Sequence, residues 1–339
     1  MRKDNQLMSL LSIWGIFLVV LGHSGFEEPI IQHRLGYLHS WIYSFHMPLF
    51  FMISGYLFSF TNKNFGEVVL GDFLWKKVKR LLVPYIVLGV ILYFIKFAFS
   101  GLSHAARDFT IGNFFKMFLA PSSESSTMGY LWFVFTLFIV FAFIVAICRM
   151  HINLKKTTWC ISLILAFGLI DYAIPQIEWF NLKAVVHYMP YFLIGILFKS
   201  YESSILAFVN RGGYCELFIL IALSIWTTIG NWSVPSFLMI TIRTLIGLWM
   251  SVSFCSLLLY SNKITIWQKP YGKNTYSIYL LSWFGQYAAK ILVVNIFHMH
   301  WGICVIAMFI CGIAVPLMIN WCVDRYKLNN VFLRLVIGY

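Results

Sequence analysis

The stretch that decides the fold is Trp41–Phe60, with the sequence WIYSFHMPLFFMISGYLFSF. It is long and apolar enough to cross a bilayer, yet it carries His46 in its first half. A membrane span tolerates an ionisable side chain where it faces a partner or a water-filled cavity, so an intramembrane histidine indicates a functional site. The preceding apolar run, Leu7–Ser24, has His23 near its end. The first two predicted spans therefore carry one imidazole each.

The composition indicates a polytopic membrane protein. Of the 339 residues, 60% are hydrophobic and 11% are charged, and the mean hydropathy of +0.81 excludes a soluble globular domain. The seven cysteines show no CxxC spacing, which is typical of small core residues rather than disulfides or metal ligands. We expect no bound metal, because the histidines come one per span without a carboxylate or cysteine at ligand spacing.

A window of about twenty residues predicts an all-α protein with roughly ten transmembrane helices, forming one membrane-embedded domain over residues 1–339. The predicted spans are Leu7–Ser24, Trp41–Phe60, Arg80–Phe99, Gly129–Cys148, Thr158–Ile174, Ala184–Phe198, Tyr214–Gly230, Ser236–Tyr260, Asn274–Phe297 and Trp301–Trp321. With the N-terminus inside, four of the 25 Lys and Arg residues fall in outer loops, three in spans and eighteen on the inner side. This bias predicts an N-in, C-in topology.

The basic charge itself has a simple interpretation. The formal net charge of +13 follows from the topology and from contact with lipid headgroups, and nothing in the pattern indicates a nucleic-acid partner.

Ionisable residues of six spans are predicted to share one layer in the outer half of the membrane. They are His23, His46, Asp171, His187, Arg243 and Lys290. A shared depth favours a common cavity over scattered structural polar groups. Two structural alternatives stay open: the histidines hydrogen-bond between helices, or Asp171, Arg243 and Lys290 form salt bridges with one another.

Six motifs along the chain carry a resemblance to a known family. They are GIFLVVLGH at residues 15–23, FHMPLFFMISGYLF at 45–58, KKVKRLLVPY at 76–85, LWF at 131–133, HYMPYFLIG at 187–195 and YSIYLL at 276–281. Together they resemble the membrane-bound acyltransferase family three, similar to the bacterial sugar O-acetylases that act on surface polysaccharides and Nod factors. The resemblance covers essentially the whole chain, and the 45–58 motif is the most specific part.

Two positions depart from the family pattern. Many members have Arg or Lys eleven positions before the first histidine, where this chain has Ser12. A histidine often follows the YLL motif, where this chain has Ser282. Arg34 or Arg243 is a candidate to replace the basic residue missing at Ser12. The serine at position 282 leaves His23 as the better candidate for the essential base.

The resemblance implies transfer of an acyl group, usually acetyl from acetyl-CoA, to a saccharide hydroxyl. An imidazole suits the removal of the hydroxyl proton because its ordinary pKa is near neutrality. His23 is expected to be this base or a nucleophile that carries the acyl group. His46 is expected to orient it, polarise the thioester or bind the acceptor, and Arg243 or Lys290 to stabilise the oxyanion.

The donor is cytosolic, whereas the predicted base lies near the outer face. Lys76, Lys79 and Arg80 at the inner start of the third span are candidates for a clamp on the phosphates of coenzyme A. The alternative is a positive-inside anchor. An extended pantetheine arm would then deliver the acyl group within the membrane.

The expected protein is an O-acetyltransferase of the bacterial inner membrane, acting on O-antigen, capsule or exopolysaccharide. Because the sequence shows no attached extracytoplasmic esterase-like domain, the membrane unit is expected to act alone or to hand its acyl group to a separate protein. Its expected partners are the saccharide, in lipid-linked or surface form, and membrane lipids. A secondary transporter or lipid-linked sugar flippase would also have buried ionisable residues, but no convincing repeat supports it. Acylation of a small cytosolic metabolite is the second alternative.

Overall fold

The computed structural model describes residues 3–26, 29–62, 70–98, 109–123, 126–150, 152–230, 232, 234–261, 265–327 and 330–338. Within these ranges all regular secondary structure is helical. The α-helices are α1 Lys3–Gly22, α2 Pro29–Thr61, α3 Leu70–Lys77, α4 Val83–Ala98, α5 Ile111–Leu119, α6 Trp132–Arg149, α7 Thr157–Ala173, α8 Leu182–Ser200, α9 Glu202–Ile229, α10 Ser236–Tyr260, α11 Thr265–Lys290, α12 Trp301–Arg325 and α13 Val331–Val336.

The chain divides into two compact units, which are described separately. Unit 1 comprises Met1–Ser54, Phe198–Asn329 and Tyr339, and unit 2 comprises Gly55–Leu197 and Asn330–Gly338. The expectation of a single domain stays a prediction.

Within the described ranges, seven helical stretches are long and apolar enough to cross a membrane. They are Gly71–Ala98, Gly129–Arg149, Trp179–Ser200, Glu202–Ile229, Ser236–Tyr260, Asn274–Ile296 and Trp301–Arg325. Gln6–Gly22 and Thr157–Ala173 are shorter apolar helices. The all-helical, multi-span class is therefore confirmed, whereas the number of ten spans and the N-in, C-in orientation stay predictions.

Several helices extend beyond the predicted spans because a hydropathy window does not register their polar ends. The second begins at Pro29 rather than Trp41, and proline's fixed φ suits the first turn of a helix. The third helical stretch begins at Leu70, so the cations predicted to precede the span are themselves helical. The segment between the third and fourth predicted spans contains α5, whose N-cap Thr110 accepts a hydrogen bond from the Asn113 backbone N–H.

In unit 1, α1 packs against α10, α11 and α12, and α9 packs against α10. A buried cluster of Leu18, Ile42, Phe45 and Met250 joins α1, α2 and α10. Gly247 permits the close approach of α10 to α2, because a Cβ there would lie 2.3 Å from Cγ of Phe45. This packing holds α1 and α2 together over the region that carries both predicted catalytic histidines.

Unit 2 has an aromatic core. The Tyr85 and Phe135 rings stack at 5.3 Å between centroids, and the Tyr85 hydroxyl donates to the Phe118 carbonyl over 3.0 Å. The buried Asn181 amide donates to the Thr136 hydroxyl over 2.7 Å, which ties the turn before α8 to α6. The aromatic packing therefore fixes α4, α5, α6 and the start of α8 within this unit.

Candidate functional site

The first predicted catalytic histidine lies immediately after the end of α1. The His23 backbone N–H donates to the Val19 carbonyl over 3.1 Å, and the chain then turns at Gly25, whose φ is 82°. Glycine adopts this left-handed conformation without a Cβ penalty, so it ends the helix here. The result is a half-buried imidazole at a helix end.

Tyr43 of α2 connects the two histidines. Its hydroxyl lies 2.9 Å from Nδ1 of His23, at hydrogen-bonding distance. Its ring centroid is 5.7 Å from that of His23 and 4.8 Å from that of His46, with an edge-on arrangement in both cases. The structure therefore brings His23 and His46 together through one tyrosine.

The hydrogen bond of His46 fixes its tautomer. Nδ1 lies 2.8 Å from the Ile42 carbonyl, and since a carbonyl only accepts, Nδ1 carries the proton. In the neutral ring Nε2 then keeps its lone pair. The residue is only 2% exposed, so this lone pair belongs to a largely water-excluded imidazole.

His39 is a third imidazole in the cluster, and its ring centroid is 4.0 Å from that of Tyr43. Sequence reasoning missed both residues. The signal was present, because His39, Tyr43 and His46 have the i, i+4, i+7 spacing of one helical face. We call the set of His23, His39, Tyr43 and His46 the histidine–tyrosine cluster.

The end of α1 also contacts α11. The buried Gln286 amide donates to the Val20 carbonyl over 2.8 Å and to the Ser24 hydroxyl over 3.2 Å. Ser282, one turn earlier on α11, is buried. Gln286 was not predicted from sequence, and it holds the segment that precedes and follows His23.

The two basic residues predicted near the site are each bound to a different group. The Lys290 ammonium lies 5.4 Å from the centre of the Trp301 ring, a cation–π arrangement. Trp301 also lies next to the Gly25 turn. The Arg243 Nε–H donates to the Thr227 carbonyl over 2.7 Å at the end of α9. Arg34 is helical, and its side chain lies outside the described residues.

A second polar cluster lies in unit 2, where α7 and α8 form a hairpin. Oδ2 of the buried Asp171 lies 2.7 Å from Nδ1 of His187, and its Oδ1 lies 3.0 Å from the Lys183 ammonium. Lys183 also donates to the Asp171 and Ile174 carbonyls. Asp171 therefore takes these two partners from its own hairpin, and the alternative that it pairs with Arg243 and Lys290 stays a prediction.

The candidate donor-binding cations are exposed in unit 2. Lys76 lies on α3, and Lys79 and Arg80 lie on a π-helical segment, Val78–Leu82. Pro84 lacks an N–H for the Arg80 carbonyl, which accounts for the irregular turn. These positions suit an anionic ligand and equally suit a lipid headgroup.

Among the described residues no three His, Cys, Asp or Glu side chains form a group that could hold a metal ion. The expectation that no metal is bound stays a prediction. The single layer of six ionisable residues, which belong to both units, stays a prediction as well.

These features define a multi-span helical membrane protein with a histidine–tyrosine cluster at the end of its first helix. A family model described as an acyltransferase domain matches residues 8–319, a range that includes every candidate site residue. The chain therefore belongs to acyltransferase family 3, and the resemblance seen in its motifs is confirmed. Comparisons with curated proteins and with solved structures gave no match.

Proposed function

We propose that this acyltransferase moves an acetyl group from acetyl-CoA to a hydroxyl of a cell-surface or lipid-linked saccharide in the bacterial inner membrane. The observation that supports it most directly is the contact of His23 with Tyr43, beside a buried His46. A hydroxyl is a weak nucleophile near neutral pH, and a positioned imidazole is the side chain best suited to activate it.

His23 is the proposed general base. In the tautomer with the proton on Nδ1, its N–H donates to the Tyr43 oxygen and Nε2 keeps a lone pair that faces away from that bond. This hydrogen bond to Tyr43 also limits rotation of the imidazole. Tyr43 is therefore a positioning residue, because it acts on the acceptor through His23.

The proposed step conserves protons and charge. Nε2 of His23 takes the proton of the saccharide hydroxyl while the oxygen attacks the thioester carbonyl. The tetrahedral oxyanion collapses, the C–S bond breaks, and the imidazolium returns its proton to the coenzyme A thiolate. The products are the saccharide ester and free coenzyme A. A covalent acyl-histidine would reach the same products in two steps.

His46 is assigned to the acceptor hydroxyl and Lys290 to the charge that develops in the transition state. Neutral His46 has its proton on Nδ1, which is bound to Ile42, so its Nε2 is an acceptor that suits a substrate hydroxyl. Lys290 is a cation beside Trp301, whose ring lies near the Gly25 turn, and a cation near that turn would stabilise an oxyanion. His46 then orients the acceptor and Lys290 supplies charge.

The phosphates of coenzyme A are assigned to Lys76, Lys79 and Arg80. Three exposed cations within five residues match the phosphate groups of the nucleotide in charge. This assignment predicts a salt-sensitive affinity for the donor, because exposed charge pairs are screened at high ionic strength.

The experiment measures coenzyme A thiol release by the purified protein in nanodiscs, with acetyl-CoA and extracted surface glycan. His23→Ala should lower the rate by about 10²–10⁴-fold, the usual contribution of a general base. The exposed His33 is on the same helix as His46, and His33→Ala is the matched control, which should keep full activity. Transfer to a small metabolite alone, or no thioester cleavage under any condition, would contradict the proposal.

A further inference from the structure

Unit 1 contains an apolar groove of about 370 Å³ between α1, α2, α9 and α10. One wall is a stripe of α9 side chains, Leu217, Ile221, Ile225 and Thr228. These residues recur every three or four positions, so they share one helical face. At a rise of about 1.5 Å per residue the stripe is roughly 16 Å long. The volume is at the low end of the range for ligand pockets, so over this length the groove is narrow. A narrow apolar groove suits a single hydrocarbon chain.

The polar groups of three groove-lining side chains, Trp14, Trp41 and Thr228, are bound within the protein. The Trp14 indole N–H donates to the Ser251 hydroxyl over 3.2 Å, and the Trp41 indole N–H donates to the Ser224 hydroxyl. The Thr228 hydroxyl donates to the Ser224 carbonyl over 2.8 Å. The wall side chains therefore offer an occupant their apolar surfaces.

The groove and the histidine–tyrosine cluster share one buried core. Trp14, Trp41 and Leu217 line it, and they pack on the same buried core as Tyr43. Trp14 precedes His23 by nine residues, about 14 Å along α1. A hydrocarbon chain in the groove would therefore run beside α1. One of its ends would lie at the level of Trp14, about 14 Å along α1 from His23, and the other end would lie near Thr228 at the end of α9.

The cation Arg243 is bound next to that second end, at the residue before Thr228. Thr228 lines the groove, and the neighbouring Thr227 carbonyl accepts from Arg243. Among the described residues, the guanidinium binds this carbonyl through its Nε–H, and it carries five N–H donors in all. The remaining donors form a planar fork that matches a phosphate group.

We propose that the groove holds the hydrocarbon chain of a single-chain lipid phosphate that carries the acceptor saccharide, with Arg243 on the phosphate. The inference rests on the proposed function and narrows its acceptor to the lipid-linked form. The length and volume select one chain, the guanidinium selects the phosphate, and the shared core with Tyr43 connects the site to the proposed base.

The test uses the full chain in phosphatidylcholine nanodiscs and a polyprenyl phosphate that carries a diazirine on its hydrocarbon chain. After irradiation, labelled peptides are mapped by mass spectrometry. We expect labels on α9 between Leu217 and Thr228, competed by unlabelled polyprenyl phosphate. Ile225→Trp should abolish these labels by filling the groove. Ile219 lies on α9 outside the groove and is 60% exposed, so Ile219→Trp is the matched control and should label normally.

Two further measurements keep the result interpretable. Ile221→Trp is a second groove-filling variant, and melting curves of all variants show which are folded. Arg243→Gln should weaken capture of the polyprenyl phosphate by about tenfold and leave capture of the uncharged prenol unchanged, since a charge-assisted hydrogen bond is lost.

The outcomes separate the groove from the proposed function. Equal competition by phosphatidylglycerol would mean an ordinary lipid contact and overturn the inference, as would crosslinks between two copies of the chain across this groove. Thioester cleavage with no label on α9 would overturn the groove alone. Specific labelling without any thioester cleavage would support the groove and contradict the proposed acyl transfer.

Discussion

Tyr43→Phe tests the proposed positioning of His23 with the smallest structural change. The substitution removes the hydroxyl that lies 2.9 Å from Nδ1 of His23 and keeps the ring that packs against His39 and His46. A net hydrogen bond contributes about 0.5–1.5 kcal/mol. At about 1.4 kcal/mol per tenfold change in rate, we expect kcat to fall by roughly two- to tenfold.

The assay is coenzyme A thiol release under saturating acetyl-CoA and glycan, with KM measured for both. A positioning role lowers kcat and leaves both KM values unchanged, because the lost contact acts on the base. Tyr260→Phe is the control, since Tyr260 is 79% exposed at the end of α10. A loss as large as that of His23→Ala would make Tyr43 itself an acid or base, and an unchanged kcat would remove its role; either result refutes the reasoning.

Three further predictions follow from local geometry. Gly247→Ala should lower the thermal unfolding midpoint in detergent because its Cβ would meet the Phe45 ring, whereas Gly168→Ala, with nothing within 4 Å, should not; equal midpoints would contradict this. Asp171→Asn should lower the free energy of unfolding by about 2 kcal/mol, because Lys183 and His187 lose the carboxylate that both contact. Glu178→Gln, in an exposed ion pair, should lower it by at most about 1 kcal/mol, and a larger loss for Glu178→Gln than for Asp171→Asn would contradict this. Lys79→Ala should raise KM for acetyl-CoA and leave kcat unchanged, and an unchanged KM would contradict the assignment of Lys79 to the coenzyme A phosphates.

The sequence was sufficient for the class of fold and for the central histidines. An ionisable side chain inside a membrane span is energetically unfavourable, so an imidazole within an apolar run singles out His23 and His46 in the sequence. Tyr43 was not found, because aromatic residues make up 19% of the chain and most of them serve the core or the membrane interface. Its role depends on packing between α1 and α2, which the hydropathy pattern does not contain.

The partners of the charged residues could not be predicted for a related reason. One alternative left open from sequence paired Asp171 with cations of other spans, whereas its contact with Lys183 was not predicted. Lys183, placed in a loop from sequence, lies in the first turn of α8 and reaches Asp171. The hairpin between α7 and α8 brings these residues close, and a short connection of this kind has no signal in hydropathy. The groove was likewise not predictable, because four separate helices form it.

The most direct test of the account is the O-acetyl content of surface polysaccharide, measured by proton NMR. Cells produce the intact chain, His23→Ala or the control His33→Ala at matched membrane levels. The account predicts an acetyl signal with the intact chain and with His33→Ala, and its loss with His23→Ala. An equal signal with His23→Ala would contradict the claim that this histidine activates the acceptor hydroxyl.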